Sequence, residues 1–340
     1  MNFHPIPLAE AEGKILGHNI AGADGRRALR KGKPLTAADL ALLHQLGREM
    51  VYVAEIGGED VLENGAAERI ATAVGGANLT LSKALTGRCN LHAATLGLLR
   101  IDEERLVQLN LCEAVTLATL PNHSVVRPRQ MAATLKIIAY AIPENEVQEA
   151  ETIGREVRPL LHVSALPARR VGLILSGSPT AEAQIVASFS KALEIRLQNW
   201  GSSLAQIDFV PLEDLHGEMA LAELIAQQIA AGIELIILAG ETAIMDRYDI
   251  APRAVERAGG RITCFGAPVD PGNLLMLARH GRVPIIGAPG CARSPKQNIV
   301  DLIIPRLLAG DYLTKMDIVR LGHGGLLEDV PERGRPRKLS

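Results

Sequence analysis

The chain has 340 residues, 47% hydrophobic and 22% charged, which is enough for about two domains with separate cores. A formal net charge of −2 gives no global basic field for nucleic acid or an anionic membrane, and only 3% aromatics argue against a base-stacking platform. Cys89, Cys112, Cys264 and Cys291 form no CxxC pair, and neither an apolar leader nor an apolar run of about 18 residues is present, so the expectation is a soluble protein of a reducing cytoplasm.

In chain order, the first half mixes short β-like runs with single helices. Thr36, with Asp39 three residues on, predicts the start of a helix to Leu46 that carries Leu40, Leu43 and Leu46 on one face. A second helix is expected from about Asp102, with Leu106 and Leu109. Strand candidates are Met50–Ala54, Val115–Leu120 and one run Met131–Ala141, and polar 143–158 looks like a helical connector. This is a β-rich α+β N-terminal region, taken as residues 1–165.

From Arg170 the pattern becomes regular, and 166–325 is expected to be an α/β domain with a doubly wound parallel sheet. Val171–Leu175 is short, apolar and continuous, as suits a strand buried on both faces. A helix follows with Ile185, Val186, Phe189, Leu193, Leu197 and Trp200 in phase. Then come strand Leu204–Val210, helix Glu218–Ala231, the most apolar strand Ile233–Ala239, a helix at 250–258 and strand Arg261–Phe265. A hairpin-like pair, Asn273–Ala278 and Val283–Ile286, leads to a helix from Pro295 to Leu308 with a clean apolar stripe. Strands alternating with helices imply a parallel sheet covered on both faces. Residues 326–340 read as a flexible basic tail.

In such sheets, ligands bind beyond the carboxyl ends of the strands. Four loops fall there. They are Ser176–Thr180, Gly240–Asp249, Gly266–Asn273 and Gly287–Pro295. In the last, Ser294 suits an N-cap and Pro295 a first helical residue. With Gly287, Gly290 and Arg293 this favours either an anion such as phosphate or a plain strand-to-helix turn. Cys291, read as lying near a helix N-terminus and Arg293, should have some thiolate character, or else simply fills space. Asp249 precedes Ile250-Ala251-Pro252 and is either a helix cap or, with Asp246 and Arg247, part of a polar ligand site. Asp270, Gly272 and Asn273 flank another tight turn. No HxH or HxxxH cluster suggests zinc, and the absence of GxGxxG and GxxxxGK[ST] weighs against a nicotinamide or nucleoside-triphosphate enzyme.

The order and wording of these loops resemble the molybdopterin-binding domain of the MoeA, MogA and gephyrin group. The matching phrases are Ile236-Ile237-Leu238-Ala239-Gly240-Glu241-Thr242 leading to Asp249, then Val269-Asp270-Pro271-Gly272-Asn273, then Gly287-Ala288-Pro289-Gly290-Cys291. The wording is closer still to a MoeA-like branch often fused to a molybdenum-cofactor cytidylyltransferase, with Thr86–Leu91 and Thr116–Pro121 adding N-terminal phrases. The chain departs from the family at Glu241, where a second glycine is usual, at Ala243, at Asp270 in place of lysine, and at Cys291-Ala292 in place of Asn-Pro.

The resemblance implies a molybdenum-cofactor biosynthesis protein that binds molybdopterin, or its adenylated or metal-loaded form, and assists molybdate insertion with Mg²⁺. Asp249 and Asp246 would do the catalytic work. Ser176, Gly240, Thr242, Asp270, Gly272, Asn273, Gly287, Gly290, Cys291, Arg293 and Ser294 would bind the pterin and its phosphate, with Cys291 approaching the dithiolene or metal. The alternative is a non-catalytic carrier that delivers cofactor to a nucleotidyltransferase or an apo-molybdoenzyme, which the altered loop residues favour. A homo-oligomer is expected, with no nucleic-acid or membrane partner.

Overall fold

The computed structural model describes residues 1–156, 158–211 and 215–327; the basic tail expected at 326–340 lies outside them from residue 328 on. Two compact units divide the chain, one of Met1–Thr95 with Leu99–Val163, the other of Leu96–Leu98 with the chain from Ser164 onward.

The first unit is antiparallel. Met50–Glu55 is the middle strand of a three-stranded sheet, between Asn2–Pro7 and Ile15–Leu16. The helix expected after Thr36 is Ala37–Gln45, with the reciprocal Thr36–Asp39 capping box in place and Leu43 fully buried. Asp102 likewise caps Glu103–Asn110. The expected strand Met131–Ala141 is two strands, Met131–Ile137 and Ala141–Pro143, which join different sheets. The chain bends between them, and the Tyr140 hydroxyl there donates to the Gly17 carbonyl at 2.8 Å.

A helix at Glu63–Val74, with no side-chain cap to announce it, buries Ala66, Ala67, Ile70, Ala71 and Val74 under the four-stranded sheet. The segment read as a connector is helix Glu144–Arg155, and it belongs to this core. Gly154 packs so closely on Ala73 that a Cβ would lie 3.0 Å from its carbonyl carbon. The Arg69 guanidinium, held by both Glu144 and Glu151, joins the two helices.

The second unit is the α/β domain. Its strands are β1 (Arg170–Gly177), β2 (Ser203–Pro211), β3 (Leu235–Gly240), β4 (Arg261–Phe265), β5 (Met276–His280) and β6 (Val283–Gly287). Its helices are α1 (Glu182–Asn199), α2 (Leu215–Ala230), α3 (Ile250–Arg257), α4 (Ile299–Leu308) and α5 (Lys315–Val319). The sheet order is β2-β1-β3-β6-β5-β4. Strands β2, β1, β3 and β6 are parallel, while β5 runs antiparallel to both neighbours, so β4 again points with the parallel set. Strand β5 reverses because a tight turn at Gly281, with a φ of +57°, joins it directly to β6.

Side chains alternate across this sheet. Ile174, Ile236, Leu238, Ala278 and Ile285 face one way, into a core with Leu221 and Ile225 of α2 and Val255 of α3. Leu173, Leu175, Ile237, Leu277 and Ile286 alternate with them and are buried on the other face. Helix α1 buries Ile185, Phe189, Leu193 and Leu197, and α4 buries its whole apolar stripe. Among the described residues, no helix is long and apolar enough to cross a membrane.

Candidate functional site at the carboxyl edge of the sheet

The chain leaves β1 toward β2 on one side and returns to β3 on the other. The reversal of strand order therefore falls between the carboxyl ends of β1 and β3, where a crevice opens in folds of this kind. Ser176 and Gly240 lie side by side there in register. A Cβ on Gly240 would sit 2.8 Å from the Ser176 carbonyl oxygen, so only glycine allows the two strands this approach.

Four carboxyl ends, those of β1, β3, β4 and β6, bring the sequence-marked loops to one edge. The cavity beneath them is small. About 20 Å³ is enclosed by Ser176, Gly240, Thr242, Ile244, Ala251 and Ala288 among others, against the roughly 300–1,000 Å³ of a typical ligand pocket. Ile244 closes it. A Cβ on Gly287 would lie 2.4 Å from the Ile244 side chain, so Gly287 accommodates this plug within the protein. A pterin would have to lie over the exposed rim, where Glu241, Thr242, Asp246, Arg247 and Arg293 are exposed.

Glu241, standing where the resembled family has glycine, links two of the loops. Its carboxylate accepts from the Ser178 backbone N–H at 2.7 Å and the Ser178 hydroxyl at 2.9 Å. These bonds hold its pKa below the ordinary glutamate value.

The two aspartates of the next loop are occupied by backbone. Asp249 is the N-cap of α3, accepting from Ile250 N–H at 2.7 Å and from Met245 N–H at 3.1 Å. Asp246 accepts from Tyr248 N–H at 2.7 Å. Among the described residues no group of three or more His, Cys, Asp or Glu is placed to hold a metal ion.

Asp270 precedes a cis peptide bond to Pro271. Its backbone pairs with the 325–327 segment, through Asp270 N–H to Gly325 O at 2.8 Å and Leu327 N–H to Asp270 O at 3.0 Å. Gly272, at a φ of +138°, lies against Ile299, and a Cβ would come within 2.3 Å of that side chain. The Asn273 carbonyl accepts from Ala267 N–H at 2.9 Å. This loop thus packs on the start of α4.

The fourth loop differs from its sequence reading. Helix α4 begins at Ile299, not Pro295, and its N-cap is the fully buried Asn298. Asn298 accepts from Val300 N–H at 3.1 Å, and Asp301 accepts from Asn298 N–H at 2.9 Å. Ser294 instead closes a short 3-10 turn over Gly290–Arg293, and its hydroxyl accepts from Lys296 N–H at 3.2 Å. The helix start expected at Ser294–Pro295 is therefore corrected to Asn298–Ile299.

The reason is Arg196, which the sequence reading passed over. On the buried stripe of α1, it donates to the carbonyls of Ala292, Ser294 and Lys296 at 3.2, 2.7 and 2.9 Å, and to Asp301 at 2.8 Å. Turning those carbonyls toward one guanidinium is incompatible with helix from Pro295. Ser294-x-x-Gln297 and Asn298-x-x-Asp301 both carry capping-box spacing, and the Arg196–Asp301 pair decides between them. A lone arginine in phase with Phe189, Leu193 and Leu197 was the available signal.

Cys291 is also corrected. It lies in the 3-10 turn rather than at a helix N-terminus, and burial pushes its thiol pKa up despite the nearby Arg196, the opposite direction to the thiolate character expected. Arg293 is exposed at the rim and lies over the Phe189 ring, 5.9 Å from its centroid.

A family described as a domain of unknown function, DUF8806, matches residues 5–55. No curated protein matches the sequence. Among solved structures the chain is similar to a molybdenum cofactor biosynthesis protein from Pyrococcus furiosus, at 13% identity and a TM-score of 0.26. That match covers 94% of this chain and 65% of the other, so the chain spans less than two thirds of that protein's length. It is also similar to a molybdopterin biosynthesis Mog protein from Mycobacterium ulcerans, at 16% identity and a TM-score of 0.28, over 41% of this chain and 94% of that one. A molybdenum cofactor biosynthesis protein B matches at 17% identity and a TM-score of 0.27, over 42% and 95% of the two chains.

Proposed function

We propose that this chain binds molybdopterin, bare or metal-loaded, across the carboxyl edge of its α/β sheet, and holds it for hand-over during molybdenum-cofactor assembly. The observation that carries the reading is the convergence of the resembling loops at the strand-order reversal between β1 and β3, with Gly240 needed for the close approach of Ser176. Ser176, Gly240, Thr242 and Arg293 are the proposed contacts, from backbone donors, a hydroxyl and a guanidinium.

A carrier fits better than a molybdate-inserting enzyme on one specific ground. Asp246 and Asp249, the proposed proton or metal handlers, already accept hydrogen bonds from their own loop's backbone. Removing them to do chemistry would release the amides they cap.

The test is titration of the full chain with metal-free and molybdate-loaded molybdopterin, each followed by pterin fluorescence. Both forms should bind saturably, and Thr242→Glu, which adds bulk and charge at an exposed rim position, should weaken both about tenfold or more. No saturable binding of either form would sink the reading. Multiple turnover of molybdate insertion would replace the carrier with an enzyme.

A further inference from the structure

The first unit contains a cavity of about 790 Å³ far from any sequence-marked loop of the α/β domain in the chain, a size within the roughly 300–1,000 Å³ range of small-molecule sites. Its lining includes Arg30, Lys31, Lys33 and Lys136 against a single carboxylate, Glu63. The chain as a whole is slightly acidic, so this concentration of cations is local.

Two of the four cations are anchored. Lys33 binds Asp39 at 2.6 Å, and Lys136 donates to the Thr86 carbonyl at 2.6 Å with Glu63 3.5 Å away. Among the described residues, no carboxylate pairs with Arg30 or Lys31. The wall therefore keeps an uncompensated positive charge at its exposed end, suited to an anion with several oxygens.

Two aromatic rings in the lining, Phe3 and Tyr140, are each set against a glycine. Phe3 lies on Gly17, where a Cβ would come within 2.7 Å of the ring, and still exposes 41% of its surface. Tyr140 lies on Gly32, which has a φ of +79° and where a Cβ would meet the ring at 3.3 Å. The hydroxyl bond from Tyr140 to the Gly17 carbonyl ties the two walls together. A bare inorganic anion would leave these apolar rings uncovered, whereas a planar heterocycle bearing phosphates would cover them and reach the cations.

We propose that this cavity binds a phosphate ester of a planar heterocycle, of mononucleotide size, with its phosphates at Arg30 and Lys31 and its ring against Phe3 and Tyr140. The site lies entirely within the first unit and does not depend on pterin binding at the sheet edge.

ATP, adenosine and inorganic tripolyphosphate, titrated separately into the full chain by calorimetry, test it. ATP should bind saturably at one site, and adenosine and tripolyphosphate should each bind about tenfold more weakly or worse, since each lacks half of the recognised chemistry. The Arg30→Ala/Lys31→Ala double variant changes two exposed side chains and should weaken ATP about tenfold or more with an unchanged circular-dichroism spectrum. Thr242→Glu should leave ATP affinity unchanged, and ring-current shifts of the adenine protons should report the aromatic wall. The proposal is overturned by absent saturable binding, by equal affinity of the double variant, by tripolyphosphate binding as tightly as ATP, or by loss of ATP binding in Thr242→Glu.

Discussion

The loop after β3 and the loop after β6 both leave a central parallel strand and both end in a capped helix, yet only the second is also held by a distant side chain. Gly240–Asp249 is satisfied by its own side chains and stands open, with Met245 66% and Tyr248 78% exposed. The segment from Gly287 to Asn298 adds a distant donor to the bonds its own Ser294 and Asn298 make. Its carbonyls converge on Arg196, more than ninety residues earlier in the chain, and Ala292 and Asn298 are fully buried. The difference teaches that one motif vocabulary of Gly, Pro and Asp can describe either an open loop capped by its own aspartates or one whose carbonyls are gathered by a distant helix.

The comparison breaks most decisively at Arg196. Its side chain is only 8% exposed, and Arg196→Leu would leave Asp301 and the turned-in carbonyls without their donor. The expected loss is about 3–5 kcal/mol in urea denaturation, as for a broken buried pair. A loss of less than about 1 kcal/mol would mean that the loop does not depend on this hub.

Asp249 tests the other side with a smaller effect. Asp249→Ala should cost about 1 kcal/mol, while Asp249→Asn, which keeps a capping oxygen, should cost only a few tenths. Hydrogen exchange should show the change at the Met245 and Ile250 amides and not in the Gly290–Asn298 segment. Spread of the effect into that segment would erase the proposed independence of the two loops.

The smallest effect belongs to Glu241. A carboxyl whose folded pKa is depressed contributes stability that is complete above its unfolded pKa, about 4.3 for glutamate, and is lost as pH falls through the lower folded value. Its partners are the Ser178 N–H and hydroxyl. The Ser178 amide resonance should therefore titrate with a midpoint below the ordinary glutamate value, and Glu241→Gln should abolish that titration. A midpoint at or above the ordinary value would show that the link between the two loops does not form in solution.

Locally encoded features were legible. The strands β1 and β3, the Thr36 capping box, the Asp249 cap and the hairpin of β5 with β6 each follow from residues within a few positions of one another. Periodicity, turn chemistry and capping act at that range. That the four marked loops gather at one edge was legible to the same extent, because loops after parallel strands must share one edge.

The helix Glu63–Val74 had no such signal. It lacks a side-chain cap, and its many small alanines take their meaning only from the sheet that covers them. The start of α4 was ambiguous for a related reason, since two capping-box spacings follow one another in sequence and only the pairing of Arg196 with Asp301 selects one.

The sequence by itself determined the strand–helix alternation, the α/β class of the second unit and which loops gather at the carboxyl edge. Tertiary structure alone decided that Ile244 fills the space over Gly287, that burial raises the Cys291 thiol pKa, and that the carbonyls of the phosphate-like turn gather on Arg196. The physical reason is range. Backbone propensity and capping are satisfied by neighbours in sequence, whereas desolvation, close packing and the satisfaction of buried carbonyls depend on groups that only folding brings together.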